Sequence, residues 1–201
     1  MSIVKPIPRD TDDELVRAFY ADDVADLGYV ASHTLALSLN PQALTAWRQL
    51  VRAITTHMPL RRYELVTLAA ALGAGSAHCR LAHGRKSLRF FSDAELIRIA
   101  SDYREPSLVP EILTAAEVAA MEYAEQLSRD PLVMRDADNE KLRAHGFSDR
   151  EIVDISLAAA ARNFYSRAVL ALAVDVDVMP DISGRLHDAL LQGLSPKDAA
   201  G

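Results

Sequence analysis

Two short stretches repeat the same local signal. Ser92-Asp-Ala-Glu95 and Ser148-Asp-Arg-Glu151 each place a hydroxyl three residues before a glutamate, at the head of an apolar run. This is the capping-box pattern, in which the serine oxygen and the glutamate carboxylate satisfy backbone N–H groups left open at a helix start. Further helix punctuation follows the same logic. Thr11 or Asp12 opens a helix through about Val24 and Gly28 closes that unit; Pro41 suits a helix first turn; Thr114 caps a helix through Ser128; and Gly146 stops one begun at Asp136. Between these marks the apolar residues recur every three or four positions, as in Leu44, Trp47, Leu50, Val51 and Ile54.

Composition agrees. Half of the 201 residues are hydrophobic, only 6% are aromatic, and Gly and Pro number 8 and 9. Such a chain packs helices through small residues, so an all-α fold is expected, with one domain spanning residues 1–201. Residues 1–10, with Pro6 and Pro8, read as an N-terminal arm, and residues 181–201 as a C-terminal helix and tail. The one alternating stretch, Val174 to Val178, is read as a helix end, with the preceding helix running from Ser148 to about Val174.

A net charge of −6 excludes a nucleic-acid-binding surface, which needs concentrated cations. The densest basic pairs, Arg61-Arg62 and Arg85-Lys86, read as solvated helix ends. The longest apolar run, Ile152 to Met179, carries Asp154, Arg162, Arg167, Asp175 and Asp177, so no membrane span is expected. A single cysteine makes no intrachain disulfide, and the first residues lack a secretory layout; a cytoplasmic protein is expected.

The candidate chemistry lies between Glu64 and His83. Gly73-Ala-Gly75 breaks one helix, Ser76 caps the next, and the only cysteine, Cys79, falls in its first turn, where the helix dipole favours a thiolate. His83 follows four residues later on the same face, within reach of the thiol proton. Taken singly, Cys79 reads as a buried small residue, Glu64 as exposed on its helix and His78 as solvent-facing. Only their joint spacing suggests a site. Zinc is not expected, because adjacent His78 and Cys79 point apart on a helix, and no cofactor motif is present. A faint internal repeat aligns Glu64-Leu-Val-Thr-Leu-Ala-Ala-Ala with Glu151-Ile-Val-Asp-Ile-Ser-Leu-Ala, setting Ser166 opposite Cys79 and Leu170 opposite His83.

Glu64, Ser76, Cys79 and His83 resemble the Glu-x(11)-Cys-x-x-Cys-x-x-x-His pattern of the AhpD-like alkylhydroperoxidases within the carboxymuconolactone decarboxylase superfamily. His78 falls where those proteins often carry a histidine. Gly28-Tyr-Val-Ala-Ser-His-Thr, Leu113-Thr-Ala-Ala-Glu-Val and Asn163-Phe-Tyr-Ser-Arg167 resemble the longer, peroxidase-related members, so the likeness covers roughly residues 15–178. It implies an AhpD-like helical bundle, a homo-oligomer built as a dimer or a multiple of one, and thiol-dependent reduction of organic hydroperoxides. Glu64, His78 and His83 would form the proton relay and an external thiol would reset the site. Ser76 departs from the pattern, standing where the resolving cysteine belongs, so Cys79 is expected to act alone. Two other readings remain open: a cofactor-free acid–base enzyme working on a small organic acid through His83 and Glu64, and a non-catalytic helical oligomer.

Overall fold

The computed structural model describes residues 4–179 and 181–194. Among them are α1 (Glu14–Leu27), α2 (Ser32–Leu37), α3 (Pro41–Thr55), α4 (Leu60–Gly73), α5 (Ala77–Ser87), α6 (Asp93–Asp102), α7 (Ala115–Arg129), α8 (Asp136–Ala144), α9 (Asp149–Ala171) and α10 (Gly184–Leu191), with short 3-10 turns at Pro106–Leu108 and Pro131–Val133. The expected all-α fold is observed. Both serine capping boxes form, and so does a third at Thr114 and Glu117. Each such cap contributes on the order of 1 kcal/mol, enough to fix where a helix starts but not to hold it in place.

Packing does the holding. Every residue of α4 from Tyr63 to Ala71 is buried, so the helix has no solvent face and runs through the centre of the bundle. It packs against α7, α5 and α9, while α10 closes over α5 and α6. Close approach is possible because the crossing points are small: a Cβ on Gly73 would sit 2.4 Å from the Glu125 carbonyl oxygen of α7. Arg80 pins α5 to three neighbours by donating to the Leu68, Ala100 and Leu190 carbonyls at 3.3, 2.7 and 2.9 Å. Burial pulls its pKa down to about 10, which leaves it charged at neutral pH.

Two readings of the sequence change. The last long helix stops at Ala171, after which Ala173 takes φ 46° and residues 174–179 run without regular structure. Val174 to Val178 is therefore a connection, and it brings Asp177 to the start of α2, where Ser32 donates to it through both N–H and hydroxyl. The basic pairs are not solvated ends. Arg61 pairs with Glu117 and lies over Phe91, Arg62 pairs with Glu151 and lies over Phe147, and Lys86 is turned inward. The first and last parts of the expected arm and tail, residues 1–3 and 195–201, and Pro180 lie outside the described residues. No helix among the described residues is long and apolar enough to cross a membrane.

Candidate active site

The turn between α4 and α5 positions the cysteine. Gly75 adopts φ 71°, a left-handed conformation that costs glycine little, and the N–H groups of Ala74, Gly75 and Ser76 close onto the Ala70, Leu72 and Ala71 carbonyls. The chain restarts at once as α5, and the Ser76 hydroxyl accepts the Cys79 N–H at 3.3 Å. Ser76 thus acts as the cap expected of it. Cys79 sits in the first turn, buried, on a wall of a cavity of about 320 Å3 enclosed by α2, α3, α4, α5 and α9.

Glu64 and His83 meet here. The two are 7% and 3% exposed, and His83 Nδ1 lies 2.6 Å from Glu64 Oε2, with the Thr67 hydroxyl at 3.1 Å. Glu64 is therefore not the exposed residue expected from its helix alone. Burial, reinforced by the Arg162 charge, lowers the His83 pKa to about 4, so the ring is neutral at pH 7. Burial pushes the Glu64 carboxyl up, but its bond to His83 and the nearby Lys86 and Arg162 charges outweigh this and hold it below 4.5. An ionised carboxylate bound to a neutral imidazole places the proton on Nδ1 and leaves the Nε2 lone pair free.

The side chain that touches the cysteine sulfur came from elsewhere in the chain. Arg162 of α9 donates through Nη1 to Cys79 Sγ at 3.6 Å, and among the described residues this is the side-chain hydrogen bond the sulfur makes. The guanidinium lies over the Trp47 and Tyr165 rings, 5.7 and 5.5 Å from their centroids. Burial works against its charge, yet Cys79 and Tyr63 outweigh that and raise its pKa. The sequence did carry a signal for it, an arginine directly after the apolar run Leu157-Ala-Ala-Ala-Ala161, but not the identity of its partner.

His78 is buried rather than solvent-facing, and its Nε2 lies 2.6 Å from Nδ1 of His33 on α2. Burial lowers the pKa of both rings. His33, His78 and Asp177 place ligand-type atoms within 4.8 Å of one another, and among the described residues this is the group that could hold a metal ion. The fit is poor: two nitrogens at about 2.0–2.1 Å from one tetrahedral zinc stand roughly 3.3 Å apart. Both oxygens of Asp177 are also engaged by Ser32.

A second cavity of about 370 Å3 lies between α7 and α8. Its charges answer one another: Glu125 binds Tyr103, Arg104 and Arg129, and Lys141 binds Glu122. It holds no nucleophile, so the Cys79 cavity is the better candidate.

No protein-family model and no curated protein sequence matches the chain. Solved structures do. An uncharacterized peroxidase-related protein from Silicibacter sp. TM1040 is 21% identical, with 92% of this chain and 99% of that one covered at a TM-score of 0.72. An AhpD-core, peroxidase-related protein from Ralstonia eutropha JMP134 is 20% identical, covering 96% and 100% at a TM-score of 0.68. The debrominase Bmp8, as a cysteine-to-alanine variant in complex with 2,3,4-tribromopyrrole, is 19% identical, covering 97% and 98% at a TM-score of 0.74. The chain has the AhpD-like helical fold.

Proposed function

We propose that the protein reduces organic hydroperoxides through Cys79 alone, with an external thiol as reductant. The observation that carries this reading is the buried Arg162 guanidinium 3.6 Å from the sulfur, in a cavity also lined by His83, which is bound to Glu64. A fixed positive charge in a water-poor site favours negative charge on its neighbour. The thiol proton passes to His83 Nε2, and Glu64 stabilises the imidazolium across the ring. The Cys79 thiolate attacks the distal oxygen of the hydroperoxide; the S–O bond forms as the O–O bond breaks. The departing alkoxide takes the proton from His83, whose burial keeps the imidazolium short-lived. Cys79 is then a sulfenic acid. One external thiol attacks it, releasing water and forming a mixed disulfide, and a second thiol frees Cys79 and leaves as the oxidised disulfide. Ser76 cannot substitute for that second sulfur.

Reaction of the protein with cumene hydroperoxide and dimedone, read by mass spectrometry, tests this reading. A dimedone adduct on Cys79 that disappears in Cys79→Ser is expected. A Cys79 that alkylates readily yet yields no adduct overturns it. The aromatic wall of Trp47 and Tyr165, 4.3 Å apart, also suits a planar ring, so brominated pyrroles belong in the same assay.

A second reading is favoured by the Glu64–His83 pair itself, which needs no sulfur to act as a general base on a small organic acid. In that case Cys79→Ser retains turnover and His83→Ala loses it.

A further inference from the structure

Lys86 follows His83 by three residues on α5 and is half-buried, lining the same cavity as Cys79, His83 and Arg162. Among the described residues, no carboxylate lies within ion-pair distance of Lys86 or of Arg162. Arg48 on the same wall binds Asp22 at 2.8 Å and stacks on Phe19. The cavity wall thus carries Arg48, Arg52, Lys86 and Arg162 beside the carboxylate of Asp23, which accepts the Ala31 N–H at 3.0 Å and is pushed towards its neutral form by burial, while the nearby Glu64 is tied to His83. Taking a cation out of water is costly unless an anion compensates it. A Cys79 thiolate would answer Arg162, and Lys86 would still be attracted only without contact, by Glu64 and Asp26.

The aromatic side of the same cavity adds shape. Trp47 and Tyr165 form a tilted pair, with Tyr63 across from them, so a flat ring or unsaturated chain finds apolar contact while its polar end faces α5. One small cavity therefore supplies a nucleophile, a flat apolar surface and an ammonium without an ion pair.

We propose that the substrate of this site is a small organic anion, its carboxylate held by Lys86 Nζ in the field of Arg162 and its body laid against Trp47 and Tyr165, with the reacting group presented to Cys79. This rests on the Cys79-centred reading above and narrows its substrate to carboxylated hydroperoxides and related small acids. It also turns the arginine and lysine into different instruments, since Arg162 serves the sulfur and Lys86 serves the ligand.

Trp47 is the only tryptophan in the chain and lines the cavity, so its fluorescence reports occupancy directly. Benzoate and benzamide, equal in shape and different in charge, are the probes. Benzoate is expected to change Trp47 emission saturably with an affinity at least ~10-fold above that of benzamide, and Lys86→Gln is expected to erase the difference. Equal affinities in the wild type, no response to either probe, or a preference untouched by Lys86→Gln overturn the proposal. The thiol reading fails separately. A Cys79 that gives no sulfenic adduct while benzoate is still preferred leaves the anion site standing without the peroxide chemistry. A competent Cys79 with no charge preference does the reverse. Alkylation provides a second measure: iodoacetate is expected to outpace iodoacetamide at Cys79 in the wild type, and Lys86→Gln is expected to invert that order.

Discussion

The α4–α5 segment and α9 share a faint likeness in sequence and form different structures. Each carries a glutamate followed by an apolar run, Glu64 within α4 and Glu151 in the first turn of α9. Thirteen residues on, α9 runs straight through Phe164 and Tyr165, whereas the first segment has already turned at Gly73-Ala-Gly75 and started again at Ala77. The glutamates diverge accordingly. Glu151 stays at the rim, where the Ser148 N–H that it caps and then Arg62 hold its pKa at about 2; Glu64 is drawn inside to His83. Breaking a helix in the core creates what an unbroken helix cannot offer, a buried first turn with free N–H groups and side chains converging from two directions. The unbroken helix supplies the complement, since α9 carries Arg162 to the sulfur.

Moving the cysteine to the matching position of α9 breaks this contrast most sharply. In the double variant Cys79→Ser with Ser166→Cys, the thiol would occupy a fully buried mid-helix position whose present hydroxyl has no partner among the described residues. Iodoacetamide labelling at pH 7 is expected to fall on the order of 100-fold relative to the wild type, because the new site is buried and has no helix start beside it. Labelling at the wild-type rate would mean that the break in the helix is irrelevant to reactivity.

Titration gives a smaller effect that separates the same two positions, because His83 corresponds to Leu170, which carries no proton. His83 is neutral in the fold down to about pH 4, while in the unfolded chain it takes up a proton near pH 6.5. Its contribution to stability is therefore complete above pH 6.5 and is lost progressively as pH falls towards 4. At roughly 1.4 kcal/mol per pH unit the loss reaches about 3 kcal/mol. Glu64, held below its ordinary value, adds a loss of the same sign below about pH 4.5. Urea denaturation at pH 7 and pH 5 is expected to show the drop in wild type and a clearly shallower one in His83→Gln.

Smallest is the effect of a methyl group at the break. Gly73→Ala places a Cβ 2.4 Å from the Glu125 carbonyl oxygen and 2.9 Å from Ser128 Cβ, forcing α4 and α7 apart. A loss of about 2 kcal/mol in unfolding free energy is expected from overpacking of this kind. The corresponding residue of α9 is already Ala160, and it is exposed. A Gly73→Ala protein as stable as the wild type would show that the crossing has room to spare.

Local signals were legible in the sequence because they act within a few residues. Ser76 as a cap, the capping boxes at Ser92 and Ser148, Pro41 at a first turn and Gly28 as a stop all concern backbone groups no more than four positions away. The grouping of Glu64, Cys79 and His83 was legible too, because helical periodicity and one break decide it. Errors arose where burial decides. Glu64, His78 and Lys86 are polar, and polarity alone places them outside; the fold draws each of them in. No local rule registers whether another helix will cover a residue.

By itself the sequence determined where the capped helices begin, that the chain would be all-α, and that its one cysteine would fall in the first turn of a helix with a histidine one turn on. Only the tertiary structure decided what faces that cysteine. Arg162 lies 83 residues away and Trp47 a further helix apart, and their meeting depends on α3 and α9 packing around α4, a consequence of many small apolar contacts summed over the whole core. Electrostatics then follows packing: the same arginine on an open surface would be screened by water, and beside a buried sulfur it acts with little screening.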